Sequence, residues 1–241
     1  MSERSRGIVL QHIRYGDTSL IVKVFTEQHG LQSFMIKGAY SRQSKFRPAL
    51  FQPLTFIEYV SRFKASRDLQ FMTEVGVEMP FSTIYTDVRK SSMIIFIGEL
   101  LSKTIVESTP NQALFDFVHD AVLWLDLSHG KYADFHLHFC LELSRYLGFY
   151  PKTDRYEANN VFDLMNGVFR PFSPSLIHFI PEKESLAFKQ LCAASLEQLE
   201  ELHLNNETRR ILLNHILIFY QLHVPGFKGM HSHEILKVVL S

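Results

Sequence analysis

The sequence predicts an α+β chain: a five-stranded β-barrel module first, then an α-helical region interrupted by a small β-hairpin. Three features predict it. Apolar residues alternate with period two through residues 6–78. After Pro80 the apolar spacing becomes that of amphipathic helices. Within the helical part, Asn166-Gly167 separates two short β-rich runs, which is the strongest local signal for a hairpin.

The strands come first. Ile8, Leu10 and His12 alternate with Val9, Gln11 and Ile13, and Tyr15-Gly16-Asp17 turns the chain. Leu20, Val22 and Val24 follow at period two, and Gln28-His29-Gly30 turns again into Leu31–Ile36. Leu54–Val60 is a fourth β-rich run. In the fifth, Leu69, Phe71, Thr73, Val75 and Val77 form one face against Gln70, Met72 and Glu74 on the other. Five short antiparallel strands close on themselves as a small barrel and so remove exposed edges. An OB-fold, an SH3-like barrel and a small sandwich all fit this pattern.

The helices follow. Asp87 is placed to cap a helix carrying Ile94, Ile97, Leu101 and Ile105. Thr109-Pro110 opens a second, with Leu114, Phe117, Val118, Ala121 and Leu125 on one face, and Ser128-His129-Gly130 ends it. Phe135, Phe139, Leu143 and Leu147 line a third, stopped at Gly148. Residues 150–160 read as polar loop and Val161–Phe169 as the hairpin. Leu186–Leu204 is one helix or two. Asn205 or Asn206 caps a strong helix with Ile211, Leu212, His215, Ile216, Phe219 and Leu222, and a short helix from Ser232 to Leu240 closes the chain. The expected organisation is therefore a β-module over residues 1–80 and a helical domain over 81–241, with the hairpin inserted at about 150–170. No Gly/Ser linker separates them.

Composition narrows the partners. Of the 241 residues 46% are apolar, ample for a packed core. The 25 basic and 25 acidic residues cancel overall but not locally. Residues 1–80 hold 11 Lys/Arg against 7 Asp/Glu, and residues 37–67 hold seven cations and one acid, Glu58. A basic N-terminal third inside a neutral chain points to a polyanionic partner for that part. The polar N-terminus carries no apolar leader segment, and the longest apolar run, Met93–Ile97, is far short of a membrane span. A cytoplasmic protein, not membrane-bound, is expected.

The densest basic stretch is 37–47. It holds Lys37, Arg42, Lys45 and Arg47, the aromatics Tyr40 and Phe46, and no acid. Gly38 lets the backbone turn there. Cations interleaved with flat rings suit a polyanion that also has rings to stack, which is a single-stranded nucleic acid. Arg14, Arg62 and Lys64 are further cations for the same surface.

Catalytic patterns are missing. His136 and His138 point about 200° apart on a helix, and His215 and His223 are eight residues apart, so neither pair chelates one ion. His231 and His233 have no supporting carboxylate pair. No nucleophile signature or phosphate-cradling Gly-rich loop is present. Cys140 and Cys192 lie far apart inside apolar patterns and are expected as buried, reduced thiols. No catalytic residue, cofactor or metal site is predicted: the chain reads as a binding protein, not an enzyme.

Several segments in order carry a resemblance. Arg6-Gly7-Ile8-Val9-Leu10, Tyr15-Gly16-Asp17-Thr18-Ser19, Phe25-Thr26, Gly30 and Lys37-Gly38-Ala39 come first. Glu99-Leu100-Leu101, Leu147-Gly148-Phe149-Tyr150-Pro151 and Phe162-Asp163-Leu164 with Gly167 and Phe169 follow. Their joint order resembles the bacterial recombination mediator family RecO over nearly the whole chain. The resemblance implies an N-terminal OB-fold on a helical domain, without turnover. It implies binding of single- and double-stranded DNA, annealing of complementary strands, and contact with the acidic-hydrophobic C-terminal tail of single-stranded-DNA-binding protein (SSB). It also implies cooperation with RecR in loading RecA, in a bacterial, nucleoid-associated setting.

The family's basic stretch maps onto Lys37 and Arg42. For the SSB tail the family implies an apolar pocket with a nearby cation in the helical part, for which Arg145, Phe149 and Lys152 are candidates. Many relatives carry a four-cysteine zinc site after the Leu-Gly-Phe segment; here residues 152–160 contain no cysteine, so no zinc is expected. The alternative is a generic OB-fold RNA-binding protein using the same loop with a preference set by the 2′-OH. A histidine-dependent metal hydrolase and a purely structural adaptor are remoter readings.

Overall fold

The computed structural model describes residues 2–42, 44, 46–130 and 132–240. Five strands, β1 (Glu3–Tyr15), β2 (Ser19–Thr26), β3 (Gly30–Ile36), β4 (Phe56–Ser61) and β5 (Leu69–Val77), close in the order β1-β2-β3-β5-β4. All neighbours are antiparallel except β3 and β5, which run parallel. Ile13 pairs with Ile21, Ile21 with Met35 and Met35 with Phe71; the next residue, Met72, pairs with Ser61, and Ser61 with Glu3. One circuit thus returns to β1 ten residues from its start, the stagger that lets a five-stranded sheet close. This is the OB-type barrel among the three architectures that alternation allows. Val9, Leu20, Val22, Val24, Phe34, Ile36, Ile57, Tyr59 and Met72 fill its interior, and a 3-10 turn at Pro48–Phe51 adds Phe51.

Two β-bulges decide what the barrel shows to solvent. In β1 the register jumps between Val9 and Gln11, and in β5 Ser61 of β4 faces Met72 whereas Val60 faces Glu74. Each jump skips one residue, and one extra residue inverts the alternation beyond it. Val9 therefore points in, yet past the bulge it is His12 that pairs with inward Val22, and Ile13 turns out. In β5, Gln70 and Met72 are the buried residues before the bulge and Val75 packs on the core after it, so Phe71 faces out. The apolar face read from alternation in β5 is thus not the inward one.

By compactness the chain divides into units 1–126 and 127–241. The first holds the barrel with α1 (Val88–Thr104) and most of α2 (Gln112–Leu127). Asp87 caps α1, its carboxylate accepting from the N–H groups of Arg89 and Lys90. Asp126 accepts from the N–H groups of Ser82, Thr83 and Ile84, and Lys90 donates to Thr83 Oγ1 at 2.6 Å and to the Asp126 carbonyl at 3.0 Å. The chain leaving the barrel is thereby tied to both helices. Phe115, not Phe117, is the fully buried ring of α2, and it meets Phe25 of β2 at 5.7 Å. Arg6 joins Glu27 at 2.6 Å and Glu78 at 3.4 Å.

The second unit holds α3 (Phe135–Tyr146), α4 (Glu182–Ala193), α5 (Asn206–His223) and α6 (Ser232–Val239). The segment 186–204 is two pieces, α4 and a 3-10 turn at Glu197–Glu201. Asn205 caps α5 through the N–H of Thr208. The predicted hairpin is present as β6 (Asn160–Asp163) and β7 (Val168–Pro171), with Gly167 at φ 66°, and a third strand, β8 (Phe179–Ile180), pairs with β6. Aromatic packing and one carboxylate hold this sheet. Phe162 contacts Phe169, Phe188 and Phe219, while buried Asp163 accepts from the N–H groups of Met165 and Asn166, from Asn166 Nδ2 and from Arg170. Cys140 and Cys192 are buried free thiols whose ionisation burial pushes up. Among the described residues no helix is long and apolar enough to cross a membrane, and no group of three or more His, Cys, Asp or Glu is placed to hold a metal ion.

Candidate nucleic-acid interface

The bulges create an outward row across four strands: Ile13, Ile21, Met35 and Phe71. Ile13 is 50% exposed and Phe71 39%, with Ile21 and Met35 half-buried. On one side runs Gln11–Lys23–Ser33–Leu69, again in register. On the other lie Tyr15 (56% exposed) and Ser19, and there Lys37 leaves β3. The result is an apolar strip edged by cations on a rigid sheet.

The stretch that the sequence singles out borders this strip. Gly38 adopts φ 67°, and Ser41 N–H closes a turn onto its carbonyl at 2.9 Å. Tyr40 N–H donates to the Thr18 carbonyl at 3.1 Å, which ties the stretch to the β1–β2 turn. Tyr40 stays 45% exposed, with the Arg14 guanidinium over its ring at 5.0 Å. Arg14 is itself held, donating to the Asp17 carbonyl at 2.9 Å. Lys37 Nζ lies over the Phe71 ring at 5.4 Å. Arg42 and Arg47 are exposed; Lys45 lies outside the described residues. Phe46 is half-buried against the barrel core beside Leu50 and Val75, so its ring is engaged by the interior and not presented as Tyr40 is.

The remaining predicted cations sit on the β4–β5 connection. Because Ser61 pairs with Met72, Arg62 leaves the sheet at the level of Phe71; its Nε donates to Ser2 Oγ at 3.4 Å. Lys64 is exposed on a loop fixed by one buried amide. Gln70 accepts from Lys64 N–H at 3.1 Å and donates to the Lys64 and Arg67 carbonyls at 2.9 and 2.7 Å. Hydrogen bonds thus hold the turn at Gly38–Ser41 and the loop at Lys64–Arg67, and Lys37 reaches over Phe71. The residues that sequence reasoning missed are Ile13, Ile21, Lys23, Met35 and Phe71. For Ile13 and Phe71 the only sequence signal is an alternation that one extra residue in β1 and in β5 inverts; Ile21, Lys23 and Met35 lie on the outward face of the unbroken alternation in β2 and β3.

In the second unit, Arg145 stacks over Tyr150 at 3.7 Å and pairs with Glu142 at 3.1 Å. Phe149 packs among Phe219, Tyr220 and His223. Lys152 is exposed, bridged by its backbone to Val168. A cleft of about 560 Å³ opens instead between the start of α5 and α6, with walls that include Arg210, Leu213, Leu236, Lys237, Val238 and Leu240.

Comparison with known proteins places this architecture. Residues 1–81 match the family described as Recombination protein O N terminal, and residues 85–232 match Recombination protein O C terminal. The chain is 38% identical to the DNA repair protein RecO of Flavobacterium psychrophilum over 242 residues, covering 100% of both. It is 34% identical to the DNA repair protein RecO of Bacteroides fragilis over 98% of both, and 32% identical to that of Phocaeicola vulgatus over 100% of both. Matched in order along nearly its whole length, this chain belongs to the RecO family of recombination proteins.

Proposed function

We propose that this chain is a non-enzymatic, DNA-binding recombination mediator in DNA repair, of the RecF-pathway type. It binds single- and double-stranded DNA in the cytoplasm at the nucleoid and anneals complementary strands. With RecR it helps load RecA onto SSB-coated DNA. One observation carries the DNA reading: the outward strip Ile13–Ile21–Met35–Phe71, with Lys23 in the neighbouring row and Lys37 over Phe71, on a module whose exposed cations also include Arg14, Arg42, Arg47, Arg62 and Lys64. The cations neutralise phosphates and release counterions, so affinity falls steeply with salt, by roughly 0.7 in log K per log salt for each single-strand phosphate contacted. Tyr40 and the strip take bases without reading their edges, so sequence preference is slight. Two strands held on one basic surface repel each other less, which favours annealing.

For the SSB tail, the α5–α6 cleft suits an acidic, apolar-ended peptide better than the 145–152 region. Its walls combine Leu213, Leu236 and Leu240 with Arg210. Lys237 is there paired with Glu234 at 2.9 Å and Glu207 also lines the wall, so Arg210 is the cation for the peptide, whereas Phe149 and Arg145 are committed to packing. The hairpin needs no zinc in this reading, since Phe162 and Asp163 already hold it. Anisotropy of a labelled oligonucleotide at two salt concentrations tests the DNA site. Lys37/Arg42/Arg47→Ala is expected to flatten the salt slope by about 2; an unchanged slope moves the site off the barrel. Arg210→Glu is expected to abolish binding of an SSB-tail peptide while oligonucleotide affinity stays, and unaltered peptide binding rejects the cleft.

A further inference from the structure

We propose that Phe71 is a base-stacking platform that the free protein keeps covered with one of its own phosphate-binding cations, Lys37, so that a strand displaces the cation from the ring and takes both groups. The inference rests on the reading of the barrel as a DNA site and deepens it. Four observations carry it. The bulge in β5 turns Phe71 outward, where an unbroken alternation counted back from inward Val75 would point it into the barrel. Bulges commonly re-aim a side chain beside a functional site. Phe71 ends the apolar strip and is the one aromatic ring in it. Lys37 covers that ring at 5.4 Å, with no ion pair among the described residues to hold it elsewhere. The Gln70 clamp fixes the Arg62–Arg67 loop immediately before Phe71, so further cations stand ready along the same path.

The exchange follows from relative strengths. An exposed ammonium over a ring is a weak contact. Lys37 gains more from a phosphate in a strand, and the vacated face gains more from a base than from water. Tyr40 differs, because its cation is tethered: Arg14 also donates to the Asp17 carbonyl. Lys37 is therefore the movable member and Phe71 the ring that opens.

The consequence is opposite responses to two probes. With Phe71→Leu the strip stays apolar but loses its ring face, and Lys37 is released to solvent. Full-length chain is titrated with labelled oligo-dT and with an abasic deoxyribose-phosphate strand of equal length, at one salt concentration. The wild type is expected to prefer the base-bearing strand. Phe71→Leu should weaken oligo-dT roughly tenfold and leave the abasic strand unchanged or slightly tighter. An equal loss on both strands, or no loss on either, overturns the inference while leaving the DNA site standing. Wild type that binds neither strand at low salt overturns the DNA reading and the inference with it. Circular dichroism melts of the variant check that the barrel is intact; Phe71→Tyr, which keeps the ring face, should restore the preference for oligo-dT, and failure to restore it also counts against the platform.

Discussion

Phe71 on the barrel and Tyr156 beside the three-stranded sheet are both rings under a lysine: Lys37 at 5.4 Å in one case, Lys189 at 4.6 Å in the other. The surroundings differ. Tyr156 has its edge against Phe169, whose ring joins Phe162 and Phe188 in a closed aromatic cluster. Phe71 has open solvent beside it and an apolar row running away from it. The cations differ likewise: Arg170 of the small sheet is paired with Asp163, while Lys37, Arg42 and Arg47 carry no ion pair among the described residues. Aromatic rings with spent cations hold a sheet together. Aromatic rings with unspent cations, on a face that burial leaves open, are material for a partner.

The sharpest way to break this comparison is to remove a ring from the closed cluster. Phe162→Ala deletes a fully buried side chain that touches three other aromatics. It should destabilise the second unit by about 3–5 kcal/mol, read by urea unfolding, with the DNA affinity of folded protein unchanged. A cost below 1 kcal/mol would mean that the cluster is not what secures the sheet. Asp163→Ala comes next. Burial alone would raise this carboxyl, but hydrogen bonds from the Asn166 side chain and the N–H groups of Asn166 and Met165, with Arg170, hold it below the usual range. Its loss removes the charged acceptor of the part-buried Met165 and Asn166 N–H groups and should cost about 1–3 kcal/mol; a neutral result would show that the turn needs no carboxylate.

Element types and order were legible because long periodic stretches report them directly. The helix starts at Asp87 and Asn205 and the Asn166-Gly167 turn each rest on a local residue preference. What the outer face displays was not legible. The skipped residues in β1 and β5 leave no mark in an alternation that contains apolar residues on both sides, and the closure that demands them is a property of five strands together. Phe46 misled for a related reason: a ring in a basic loop looks available, and only the barrel's end shows that it is needed inside. Two-residue β8 is too short to have a period.

Acid separates the two regions more gently. Burial pushes the His136 imidazole down to about 3, and His138 on the same helix is lowered by burial too. An unfolded histidine titrates near 6.5. Between those values the unfolded chain binds a proton that the folded chain refuses, so stability falls as pH drops below 6.5 and keeps falling until about 3. The limiting slope is about 1.4 kcal/mol per pH unit for each such histidine. In the barrel unit the hydrogen bond from Arg6 holds Glu27 low, so that contribution is lost only further down, as pH falls through its depressed value. Hydrogen exchange between pH 7 and 5 should show α3 losing protection before the barrel strands; barrel strands that loosen first would contradict the assignment.

The smallest effect separates two half-buried lysines. Lys23 lies in the register row beside the apolar strip, between Gln11 and Ser33. Lys189 sits over Tyr156 on the closed side of the comparison. If unspent cations on an open face are what a strand meets, Lys23→Ala removes one phosphate contact. The salt slope of oligonucleotide binding should then flatten by about 0.7, with the melting temperature little changed. Lys189→Ala should leave that slope where it is and lower stability slightly, since a cation–π contact near the surface contributes about 0.5–1 kcal/mol. The two variants remove the same charge from the same chain, so net charge cannot explain a difference between them. Equal slopes in both would mean that the chain attracts DNA through its overall charge. A flattened slope in Lys23→Ala alone ties the electrostatics to the face that the two bulges turn outward.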